Sequence, residues 1–224
     1  MNPKRRSFLK GALASGAGGL ILSHSGLTQA AMGITTGNSP ATLVLAGNAA
    51  IESSFAAGIQ AALPGEAVTL LRTDHSNPLT AVTEALHSGQ PIRLIGMVDD
   101  ATGELLTTLA RHAGARMTWL GQHSADPRQT RHQVINDRAA QGSALALAEQ
   151  LQQEAAGFRL NAEQPFARKT ALQLASARTG AASSHWAAHL GHALARPSAP
   201  VDAAYLPTTS KRLEGRFVSF VIEV

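Results

Sequence analysis

The stretch Ile92-Arg93-Leu94-Ile95-Gly96-Met97-Val98-Asp99-Asp100 decides the fold. Apart from Arg93, its first seven residues are apolar or glycine, in a continuous run rather than an alternation. That is the pattern of a strand covered on both faces. The run stops at two aspartates, and TGELLTTLARHAG (residues 102–114) follows, with Leu105, Leu109 and Ala113 at helical spacing. A buried strand, a polar turn and an amphipathic helix make one βα unit.

The same unit recurs outward in both directions. TLVLAG (residues 42–47), AVTLLRTD (67–74) and RMTWLGQH (116–123) are further short apolar strands. NAAIESSFAAGIQAAL (48–63) and NPLTAVTEALHSG (77–89) lie between them as helices, the first with Ile51, Phe55 and Ile59 on one stripe. Pro64-Gly65, Ser88-Gly89 and Ala113-Gly114 supply the stops. Strands alternating with helices predict βαβ crossovers. The expectation is an α/β three-layer sandwich around a mainly parallel sheet of four or more strands, Rossmann-like or flavodoxin-like, with Val44, Leu70, Ile95 and Met97 buried.

Further on, residues 139–153 predict a helix on Leu145, Ala148 and Leu151, and residues 166–177 and 183–195 predict two more. Residues 196–209, rich in Pro and Ala, read as an extended connection. GRFVSFVIEV at the C-terminus reads as a strand added to the sheet, with Val218, Phe220, Ile222 and Val224 on one face.

Open parallel sheets bind ligands beyond the carboxyl ends of their strands. Here those ends release Asn48 and Glu52, then Asp74 and His75, then Asp99 and Asp100, then Gln122 and His123. Together they form the candidate ligand-binding edge. Imidazoles and carboxylates in one crevice suit a divalent metal or a general acid and base. Each residue alone also suits a helix cap or turn. A second constellation, SSHWAAHLGHALA, sets His185, His189 and His192 at i, i+4 and i+7, a weaker candidate for metal. On a helical wheel Trp186, Leu190, Ala193 and Leu194 form its apolar stripe, which puts the histidines at the boundary or in water.

The chain starts MNPKRRSFLKGALASGAGGLILS, a basic segment followed by a mild apolar run and small residues near Ala30. Arg5, Arg6, Phe8, Leu9 and Lys10 closely resemble the twin-arginine (Tat) export motif R-R-x-F-L-K. The resemblance covers only the leader. It implies a signal peptide over residues 1–30, a single mature domain over 31–224, passage of a folded chain through the Tat translocase and residence in the periplasm. The apolar run is too short and mild for a stable membrane span. All four charged residues before Ala31 are basic, and the rest of the chain carries 15 basic and 15 acidic residues. The mature domain is therefore formally neutral, which argues against nucleic acid as a partner.

With no cysteine, disulfides, thiolate-held cofactors and cysteine nucleophiles are excluded, and any metal must use His, Asp or Glu. The chain also lacks G-x-G-x-x-G, a P-loop and a G-x-S-x-G elbow. Two function classes follow. One is a small-ligand-binding protein or an accessory protein of an exported enzyme system. At the level of pattern it is similar to one lobe of periplasmic sugar- or amino-acid-binding proteins. The other is a metal-dependent hydrolase or redox-complex subunit using Asp74, His75, Asp99, Asp100 and His123.

Overall fold

A computed structural model describes residues 40–74, 77–136, 141–164, 172–176, 180–197 and 212–224. The leader, His75 and most of the predicted extended connection lie outside the described residues. Within the described residues eight strands form one sheet, interleaved with six helices. The chain runs β1 (Ala41–Ala46), α1 (Asn48–Glu52), α2 (Phe55–Ala62), β2 (Val68–Arg72), α3 (Pro78–Leu86), β3 (Ile92–Val98) and α4 (Asp100–His112). It continues through β4 (Arg116–Ala125), β5 (Thr130–Asn136), α5 (Gln141–Gln153), β6 (Phe158–Glu163), β7 (Leu172–Ala175), α6 (Trp186–Ala195) and β8 (Gly215–Glu223).

The sheet order is β2-β1-β3-β8-β4-β5-β6-β7. β1 pairs with β2 and β3 in parallel, as does β5 with β6. The other four pairings, β3–β8, β4–β8, β4–β5 and β6–β7, are antiparallel. The fold is thus mixed α/β, and the expectation of a mainly parallel sheet is corrected. The expected C-terminal strand is part of the sheet and lies at its centre. It inserts between β3 and β4 and runs against both, so both its faces are needed: Phe217, Ser219 and Val221 are buried on one and Val218, Phe220 and Ile222 on the other.

Alternate residues of a strand enter different cores. Val44, Ile95, Met97, Trp119 and Val221 join Phe55, Ile59, Leu147, Trp186 and Leu190 in one cluster. Leu43, Leu45, Leu94, Phe220 and Ile222 join Val82, Leu86, Leu106 and Ala110 in another. α6 is buried along its whole length. A Cβ on Gly58 would stand 2.0 Å from the Ala188 carbonyl oxygen, and one on Gly191 2.3 Å from that of Phe55. Glycine at these two places lets α2 and α6 touch backbone to backbone.

Several expectations are corrected. Val44, Ile95 and Met97 are buried, but Leu70 is exposed, because β2 is the edge strand. The buried stripe of α4 is Gly103, Leu106 and Ala110, one position off the one expected, and Leu105 faces solvent. Leu145 is exposed on α5, whose inner residues are Ala144, Leu147, Ala148 and Leu151. Residues 172–175, expected within a helix, form β7. The long first helix breaks into α1 and α2 at Ser53 and Ser54. His189 and His192 are buried with the apolar stripe of α6 instead of lying at its boundary.

Candidate functional site

Strand direction positions the candidate edge. β8 is antiparallel to β3 and to β4, so β4 runs the same way as β1, β2 and β3. All four release their carboxyl ends on one side of the sheet. A crevice of about 210 Å³ opens there, lined by Gly47, Asn48, Ala49, Ala50, Thr73, Val98, Asp99 and Phe217. Gly47 leads β1 into α1, and its amide donates to the Met97 carbonyl at 2.9 Å, tying the two strand ends together. Phe217, supplied by β8, forms the apolar wall.

The predicted residues distribute unevenly around this crevice. Asn48 and Asp99 line it. Asp99 also caps α4: it accepts from the Thr102 amide at 2.9 Å and the Thr102 hydroxyl at 2.8 Å, and the amide bond above all holds its carboxyl below the usual range. Asp74 turns to Arg72, in a two-pronged contact of 3.1 and 2.9 Å at the surface. Glu52 and Asp100 are exposed and outside the crevice lining, and so is Gln122, on the face of β4. His123 is on β4 but points into the core.

There it belongs to a buried relay that the sequence reading missed. The Trp119 indole N–H donates to Ser219 Oγ at 2.8 Å, and Ser219 Oγ lies 2.6 Å from His123 Nε2. His123 Nδ1 lies 2.8 Å from His132 Nδ1, and His132 Nε2 2.9 Å from Thr130 Oγ1. Two proton orders satisfy every link: Ser219 donates to His123, His123 to His132 and His132 to Thr130, or all three run in reverse. Both imidazoles are neutral. Burial holds His132 down at about 3, and burial, then the repulsion two protonated imidazoles would feel, holds His123 well below its ordinary value. Gly121 makes the room, since a Cβ there would stand 2.8 Å from both His123 Nε2 and Ser219 Oγ. Trp186 closes the cluster, 5.8 Å from His123 and 5.5 Å from His132 between ring centres.

Serine, imidazole and a second imidazole stand here at the spacing of nucleophile, base and orienting group. Ser219 is 0% exposed, however, and its oxygen already receives the Trp119 N–H. No substrate atom reaches it in this arrangement. The relay instead bonds β8, β4 and β5 to one another by side chains.

The helical histidines meet a residue that sequence spacing does not reveal. Glu154, just beyond α5, has Oε1 2.9 Å from His189 Nε2 and 3.3 Å from His185 Nδ1, and Oε2 accepts from the Ser183 hydroxyl. Burial pushes the Glu154 carboxyl up, but His189, Ser183 and His185 outweigh it and bring it to about 2. His192 has no part in this contact; its Nδ1 is buried without a hydrogen-bond partner among the described residues. Among those residues no group of three His, Asp or Glu is arranged to hold a metal ion. No helix among them is long and apolar enough to cross a membrane. Compared with known proteins, the chain matches no family model, no curated protein and no solved structure.

Proposed function

We propose that this chain is a Tat-exported periplasmic protein whose mature domain holds a small ligand in the crevice at the carboxyl edge of β1–β3, as a binding protein or as an accessory protein of an exported enzyme system. The observation that carries this reading is the crevice itself, formed where co-directed strands end and bounded by Asn48, Asp99 and Phe217. A small cavity with an apolar wall and few polar groups suits a ligand. Helices packed on both sides of β1, β3 and β8 make this half of the sheet a three-layer sandwich in our reading, with the rigidity a binding edge needs.

The hydrolase or redox reading has less support. It needs Asp74, Asp99 and His123 to converge. Asp74 instead engages Arg72, Asp99 caps α4, and His123 is enclosed. A metabolite library screened by thermal shift tests the proposal. Binders should raise the melting temperature of the native protein and lose their effect in Asn48→Trp, which fills the crevice from an exposed position. Binders that stabilise both proteins equally would place the ligand elsewhere.

A further inference from the structure

Among the described residues, the part of the sheet formed by β4–β7 is covered on one face only. Phe217, His123, His132 and Leu160 lie in one register row on the inner face and are all buried. The outer face of β4, β5, β6 and β7 is open, while that of β8 is covered from Val218 onward and reaches the open area only at Arg216. Arg216, Ser124, Arg131 and Arg159 share one row across β8, β4, β5 and β6, and all three arginines are exposed. The next row carries Gln122, Gln133, Asn161 and Gln173 on four successive strands, all exposed.

An ordinary solvated sheet face needs only polar side chains of any kind. This one sorts them: guanidinium groups in one row, carboxamides in the next. Strand spacing puts Arg131 and Arg159 about 5 Å apart at their backbones and Arg216 about 10 Å from Arg131. Asp126 lies 3.7 Å from Arg131 at the surface, a pair that water largely screens, and Glu163 is at the far end of the face. Among the described residues Arg159 and Arg216 have no ion-pair partner.

We propose that this face binds an acidic polysaccharide, a chain of uronate sugars lying across β8, β4, β5, β6 and β7. Guanidinium forks match carboxylates two-pronged, and carboxamides offer both a donor and an acceptor to sugar hydroxyls. A pyranose chain bearing one carboxylate per ring repeats on the scale of the strand spacing, so successive rings meet successive strands. Among the described residues the face has no aromatic platform for stacked bases, which separates this ligand from single-stranded nucleic acid.

Retention of the purified protein on immobilised alginate, at physiological ionic strength, tests the proposal. Polyglutamate, single-stranded DNA and neutral dextran serve as comparison matrices. Alginate should retain the native protein most strongly. Arg131→Gln with Arg159→Gln should weaken retention roughly tenfold or more, as two charge-assisted contacts are lost. Gln133→Ala with Asn161→Ala should weaken it several-fold without changing net charge. Melting curves of both variants should match the native one, because all four side chains are exposed. No retention on alginate, unchanged retention in the arginine variant, or equal retention on polyglutamate or DNA would overturn it.

Discussion

Removing the hydroxyl of Ser219 strands two buried groups at once, the Trp119 N–H and His123 Nε2. Ser219→Ala should therefore cost on the order of 2–4 kcal/mol, more than a typical buried hydroxyl, and denaturant unfolding reads it directly. The two imidazoles also contribute to how acid affects the domain. In the unfolded chain they take protons near pH 6.5, whereas in the folded chain His132 does so only near 3 and His123 well below its ordinary value. Below about pH 6.5 the unfolded state thus binds more protons. Stability is whole above that value and is lost steadily as pH falls toward 3, by about 1 kcal/mol per pH unit for each imidazole. His132→Gln keeps a donor and an acceptor and should lower the slope of melting temperature against pH between 6 and 4, where His123, His192 and Glu154 supply the rest. An unchanged slope would mean that other groups govern acid lability. This residue-level picture was poorly legible beforehand. β5 alternates as a strand should, but its inner face carries Thr130, His132 and Asn136 beside Val134 while Ile135 faces outward, so apolar periodicity singles out neither face.

Elements packed backbone to backbone tolerate little added volume. Gly58→Ala would drive a methyl group into the Ala188 carbonyl and separate α2 from α6, at a cost of about 1–3 kcal/mol despite alanine's better helix propensity. Calorimetry showing stabilisation instead would contradict this packing. The far end of α6 is held by Arg93, whose Nη1 and Nη2 donate to the carbonyls of Ala195 and Leu194 at 2.8 and 2.7 Å. Arg93→Met keeps much of the stem but drops both bonds, and should cost roughly 2 kcal/mol, with faster amide exchange in the last turn of α6. Sequence spacing located β1, β3, β4, β8, α3, α4 and α6 because each has a run of the right length and stops. β6 and β7 escaped it. FRLNAE and LQLA are short, half polar and open on one face, and no continuous apolar run marks them.

For the whole molecule, the rhythm of βα units led to the correct common direction of β1–β4, and with it to the shared carboxyl edge. The antiparallel insertion of β8 is a long-range pairing, as between Ala125 and Gly215 or Arg93 and Glu223, and no local pattern encodes it. The edge was legible, but its membership was not: side-chain direction and local pairing removed His123 and Asp74 from the crevice and added Thr73 and Phe217. Export is testable separately. Arg5→Lys with Arg6→Lys should leave the protein in the cytoplasm, as fractionation would show, because paired guanidinium groups are what the Tat route reads.

An amide chemical-shift map shows whether the crevice holds the ligand. The protein is titrated with the tightest binder from the metabolite screen. Saturable shifts should centre on Gly47–Ala50, Thr73 and Asp99 and be absent in Asn48→Trp. Shifts centred on α6, on the β2 edge or on no contiguous site would contradict it.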